Sequence, residues 1–319
     1  MLLGAGLGAL ALASPQAAHA VDATWTTALG NDWQNGASWS GGVVPDGTAI
    51  FTNNGANTSV GIFSGLATIN TIRFDPGSPA YGIFTFNFSS ELDIVGAGII
   101  NNSTSIQQFS AGNLNFRNSA TAGNANIFND GTVNFFNSST AGNATISNDN
   151  PLRTLQFIDT SSAGNAIIFN NGTVLFAGSS TAGNATITTI FASNFGFFNS
   201  VEFFNTSTAG NATITTNNGA VTTFQDNSSG GNARFITNAG GNFDISALSG
   251  GGTTAGSIEG AGNYFLGSKT LTVGSNNLST EVSGVIRDGS FFGGTAAGGS
   301  LVKVGSATLT LSGINAYTG

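Results

Sequence analysis

The chain has 319 residues, 40% of them hydrophobic but only 7% charged, against roughly 25% charged in an ordinary domain, so its surface must be built from uncharged polar groups. The formal net charge of −8, from 15 acidic and 7 basic residues with no basic cluster, removes the phosphate-neutralising chemistry that nucleic acid or an anionic membrane surface would require. The 26 phenylalanines argue against disorder, and the absence of cysteine excludes disulfides and thiolate chemistry.

Residues 1–20, MLLGAGLGALALASPQAAHA, read as an export signal: an apolar run closes on Ala18-His19-Ala20, the small-x-small pattern that precedes cleavage, although no Lys or Arg precedes the run. Its removal takes away the single histidine, so the mature chain would have neither His nor Cys. Residues 21–100 are expected to form a Trp-rich cap and the first coils of a stack. Trp25, Trp33 and Trp39 fall within fifteen residues, and a stack needs an atypical unit over its first rung. The rival reading of this cluster is an aromatic platform for glycan.

Residues 101–245 carry tandem repeats. Taking the glycine of each Ala-Gly-Asn or Gly-Gly-Asn as origin gives Gly123, Gly142, Gly164, Gly183, Gly210 and Gly231. Seven residues before each stands Phe116, Phe135, Phe157, Phe176, Phe203 or Phe224, and four residues after each stands Ile127, Ile146, Ile168, Ile187, Ile214 or Phe235. All length variation falls between the large apolar residue and the next phenylalanine. Flexible filler would not hold such offsets beside drifting loops. Alternation in segments such as NATIT and GTVLFA predicts short strands with one buried face, bounded by turn signals. An all-β, right-handed parallel β-helix with coils of about 19–27 residues accounts for the pattern, with Phe and Ile stacked in internal columns. The asparagine after each glycine (Asn124, Asn143, Asn165, Asn184, Asn211, Asn232) is expected to turn inward and form an amide ladder, the alternative being a solvent-facing column.

Residues 246–319 are expected to form C-terminal coils ending in a motif. Gly299, Leu301, Lys303, Gly305, Thr308, Leu309, Thr310, Leu311, Ser312, Gly313, Asn315, Tyr317, Thr318 and Gly319 follow one another in the order of the passenger-associated transport repeat. The stretch therefore resembles that repeat of bacterial autotransporters, with Ala307 where the family usually has Gly. TLTVGSNNLSTEVSGVIRDG is similar to the segment that often precedes it, and the Trp-rich opening with VPDGTAIF is similar to many passenger N-termini. The resemblance implies a passenger domain displayed at the cell surface or outer membrane, or released outside. It also implies an outer-membrane β-barrel translocator encoded downstream, this chain being a passenger truncated within the repeat, and a role for the repeat in nucleating coil growth.

Chemistry-bearing residues are sparse. Without a mature histidine, a Ser-His hydrolytic mechanism has no base, and His- or Cys-built metal sites are impossible. Asp130, Asp149, Asp159, Asp226 and Asp244 are scattered, without the oxygen cluster that calcium needs. For a polysaccharide-degrading β-helix enzyme, the best candidates are Asp149 with Arg153, and Asp159 one coil on; the structural alternative is a solvated loop contact. Thr186/Thr188, Thr213/Thr215 and Thr308/Thr310 occupy too few coils for a flat ice-binding lattice. No catalytic, cofactor-binding or metal residue is assigned, and no cofactor is expected. The expected function is a non-catalytic, monomeric surface stalk or adhesin. Its partner would be a host or neighbouring-cell surface, protein or glycan, bound through the variable loops at 147–156 and 188–202.

Overall fold

The computed structural model describes residues 20–26, 30–54, 57–86, 89–190 and 199–319. Nearly all of the expected export signal, and residues 191–198 of the second variable loop, lie outside the described residues.

The repeat after Gly142 shows how sequence becomes a coil. Thr145–Asn148 is extended, with Ile146 and Asn148 inside and Thr145 and Ser147 outside, as the two-residue side-chain period of a strand requires. A corner at 149–153 leads into Thr154–Phe157, which buries Leu155 and Phe157. Asp159 (φ 61°) and Gly164 (φ 62°) then bend the chain through left-handed conformations. Between them Ser162 makes a one-residue parallel bridge to Thr140 below and Thr181 above. The coils that start at Gly142, Gly164 and Gly183 thus each consist of two four-residue strands and one bridged residue. At Gly164 an added Cβ would stand 2.7 Å from the Gly142 carbonyl oxygen, so both backbone angle and space select glycine.

The coils stack in parallel and in register, about 11 in all. Ile168 lies between Ile146 and Ile187, and Phe157 between Phe135 and Phe176. Gly-rich corners and unequal loops bulge without shifting this register, so the molecule is a parallel β-helix. Two single-turn 3₁₀ segments, Gly36–Ser38 and Ser40–Gly42, are its only helical elements among the described residues.

Stacking turns sequence periodicity into columns. Rings Phe116, Phe135, Phe157, Phe176, Phe203 and Phe224 repeat at 4.7–4.9 Å with interplanar angles of 3–8°. That spacing is the separation of neighbouring strands, so the backbone ladder imposes it on the rings. The column ends where Phe243 tilts by 49° at 5.6 Å from Phe224. Beneath the Gly corners the interior is narrow and filled by alanine pairs such as Ala141/Ala144 and Ala163/Ala166, all fully buried.

The expected inward asparagine ladder is overturned. Asn124, Asn143, Asn165, Asn184, Asn211 and Asn232 are all exposed. They do form a ladder, amide to amide at 3.0–3.4 Å from Asn143 to Asn232, but on the outside. The left-handed glycine turns the next side chain outward, and Ala on either side takes the interior. The internal amide ladder lies at the other corner instead: Asn129 Nδ2 donates to Asn148 Oδ1 (2.8 Å), and Asn148 Nδ2 to Asn170 Oδ1 (2.7 Å). These amides also satisfy corner backbone, as when Gly172 N–H donates to Asn170 Oδ1 (3.1 Å) and Asn170 Nδ2 to the Ser200 carbonyl (2.9 Å).

At the N-terminal end, Trp25, Trp33 and Trp39 are buried. Trp39 packs edge-on against both others at 5.0 and 4.9 Å, and all three lie on Phe51. The Trp39 indole N–H donates to the Trp33 carbonyl (2.7 Å). With their faces spent on one another, these rings cover the first rung and present no platform to a glycan. Toward the C-terminus the bridged side widens into true strands, Gly252–Ala255, Thr270–Val273 and Ser300–Lys303. Leu309–Leu311, inside the transport-repeat-like motif, pairs with Thr280–Val282.

Candidate functional site

One hollow on the outer face begins with two glycines. Gly61 and Gly82 leave the outer sheet face bare, and aromatic rings lie over them. A Cβ at Gly61 would come within 2.6 Å of the Phe63 ring and 2.8 Å of the Phe86 ring; one at Gly82 would meet the Phe84 ring at 2.6 Å. Phe63 and Phe86 stack at 4.6 Å and 14°, with Phe84 tilted 6.1 Å from Phe86. Phe86 remains 55% exposed and Phe63 37%.

Phe84 pairs with Ser110, and Ala111 with Asn129. Phe86 follows Phe63 on the next coil, and Gly112 and Asp130 follow Ala111 and Asn129 at a bulge where the register shifts. Loss of the side chain at Gly112 opens a groove of about 340 Å³, lined by Phe84, Thr85, Phe86, Ser110, Gly112, Asp130 and Arg153. Its floor is fixed by hydrogen bonds from Ser110 Oγ to Asp130 Oδ2 (2.5 Å) and from Gly112 N–H to Thr85 Oγ1 (2.5 Å). Arg153 enters from the corner loop 149–153, whose carbonyl at Arg153 accepts the Thr173 N–H (3.0 Å). The groove therefore presents an aromatic wall, a carboxylate, a guanidinium and hydroxyls on successive coils, within the size range of small-ligand sites.

The carboxylates marked for catalysis do not converge. Arg153 lines the groove, but Asp149 is an exposed corner residue whose carbonyl accepts Asn171 Nδ2 (3.1 Å). Asp159 lies beyond the strand Thr154–Phe157, which alone spans about 13 Å of extended chain after Arg153. Its Oδ2 accepts the Asn137 backbone N–H (2.8 Å), tying two corners together. Asp226 does the same for Asn205 (2.9 Å). Asp244 is buried and receives Ser290 Oγ and the Phe291 N–H. Among the described residues no three acidic or histidine side chains group as metal ligands would.

A different acidic pair was not foreseen. Glu91 and Asp93 share the outward face of one strand; Asn115 Nδ2 donates to both, and Arg117 Nε donates to Asp93 Oδ2 (2.8 Å). The Arg117 guanidinium sits 4.6 Å over the Phe136 ring. Burial first, and the charge of Asp93 second, push the Glu91 carboxyl above the usual carboxylate range, against the opposing effects of Asn115 and Arg117. The i, i+2 spacing of Glu91 and Asp93 was the available signal. The groove residues lie too far apart in sequence for spacing to join them.

No family model, no curated protein and no solved structure matches the chain.

Proposed function

We propose that this chain is an exported, non-catalytic β-solenoid that acts as a surface stalk with adhesive capacity, of the kind carried as an autotransporter passenger. The observation that carries the reading is the consumption of the repeat side chains by coil-to-coil contacts, which builds a long stable rod. One outward exception lies where loop 149–153 reaches the aromatic groove. The resemblance of residues 299–319 to a transport repeat supports the passenger assignment.

Two measurements test it. Residues 1–20 fused to a reporter that is active only outside the cytoplasm should confer activity; silence of that fusion overturns export. Beads coated with residues 21–319 should be retained on bacterial or host-cell surfaces above beads carrying an unrelated β-solenoid, and equal retention overturns adhesion.

The Glu91–Asp93 pair favours a second reading, polysaccharide cleavage, because two neighbouring carboxyls, one of them pushed upward by burial, are the groups that general acid chemistry uses. Incubation with pectin- and glucan-type polymers should release no new reducing or unsaturated ends. Release abolished by Glu91→Gln would replace the scaffold reading with this one.

A further inference from the structure

We infer that the groove beside Phe86 is a binding site for an uncharged polysaccharide chain lying along the solenoid axis. This rests on the adhesin reading and assigns it a site and a ligand class.

The direction comes from topology. Phe63, Phe86, Ser110, Asp130 and Arg153 follow one another on successive coils, so their rise is about 4.8 Å per residue and about 19 Å in all. A ligand touching all of them must be extended along the axis, as a polymer of pyranose rings is. The chemistry comes from the lining. A sugar ring has an apolar C–H face and a hydroxylated rim. Phe86, held over Gly61 and stacked on Phe63, offers an open aromatic face rigid enough to bind without losing rotamer freedom. Asp130 supplies acceptors and Arg153 supplies donors across the same hollow, the combination that holds neighbouring hydroxyls.

Charge selects against other polymers. One carboxylate faces one guanidinium, so the groove has no net charge to attract a polyanion. The whole chain at −8 repels one. A basic peptide would find Arg153 in its path, and an apolar peptide would cover the charges of Asp130 and Arg153 without offering them polar contacts.

The test titrates residues 21–319 with cellotetraose, laminaritetraose, tetra-N-acetylchitotetraose and tetragalacturonate, using Phe86→Ala and Asp130→Asn as comparison proteins. At least one neutral tetrasaccharide should bind saturably. Phe86→Ala should weaken it about tenfold or more, since most of the aromatic contact is lost. Because Phe86 is over half exposed, its thermal midpoint should stay within about 2 °C of the parent. Asp130→Asn should weaken binding to a similar degree. Failure of all three neutral sugars, tighter binding of tetragalacturonate, or unchanged affinity in both variants would each overturn the assignment. The same variants separate the two levels of the proposal on cell surfaces. Parent beads that adhere while both variants adhere equally remove the groove and leave the adhesin; parent beads that do not adhere remove the adhesin itself.

Discussion

A single serine shows how tightly position decides chemistry in this molecule. Ser139, Ser161 and Ser180 occupy one internal column, fully buried, and their hydroxyls have no hydrogen-bond partner. Ala120 holds the same place one coil earlier and is equally buried. Ser161→Ala should therefore raise stability, by up to about 1 kcal/mol, because an unsatisfied polar group leaves the core; a rise in urea midpoint measures it. Phe176 is the opposite case, with rings at 4.9 and 4.8 Å on either side. Phe176→Asp should cost more than about 4 kcal/mol and open the middle of the stack to protease. Unchanged protease resistance would contradict the column. The two asparagine ladders separate by burial. Asn148→Ala removes one buried partner from the Asn129 amide and one from the Asn170 carbonyl and should cost about 1–3 kcal/mol. Asn165→Ala on the exposed ladder should stay within about 0.5 kcal/mol, by chemical denaturation of both variants.

At the scale of the element, much was legible because strands enforce a period of two. Phe157 and Ile168 could be placed inside from their offsets alone, and the tryptophans at the end of the stack from the needs of a first rung. The asparagine error has a definite cause. Asn148 stands two residues from Ile146 and shares its face, whereas Asn143 stands three residues away, directly after a left-handed glycine. Parity along the strand carried the answer; the turn preference of Asn did not. The groove was illegible for another reason. Its walls meet only because four coils stack, and the hollow at Gly112 exists by contrast with the phenylalanines one and two coils below. The loop at 147–156 delivers Arg153 to that hollow. Near the C-terminus, Asp288 accepts Thr318 Oγ1 (2.6 Å) and the N–H groups of Gly299 (2.9 Å) and Gly298 (3.2 Å). The Thr318 hydroxyl foremost holds its carboxyl below the usual range. A lowered folded-state value means that the stabilisation is present above about pH 4 and is lost as pH falls through the still lower folded value. Amide protection at Gly299 and Thr318 should fall over that interval, after correction for intrinsic exchange, and Asp288→Asn should abolish the dependence.

For the whole molecule, the consequence of interest is mechanical. The backbone hydrogen bonds that join coils run along the axis, while the covalent chain winds around it. A load applied at the two ends is therefore carried in series by one ladder after another, and the coils should peel singly. Extension at about 3.4 Å per residue would release about 65 Å for a 19-residue coil and about 90 Å for the 27-residue coil between Asn184 and Asn211. Single-molecule pulling should record a sawtooth with those unequal spacings, whereas one uniform rupture would show that the stack yields as a block. A rod that lengthens by whole coils under tension absorbs work repeatedly while remaining tethered at both ends.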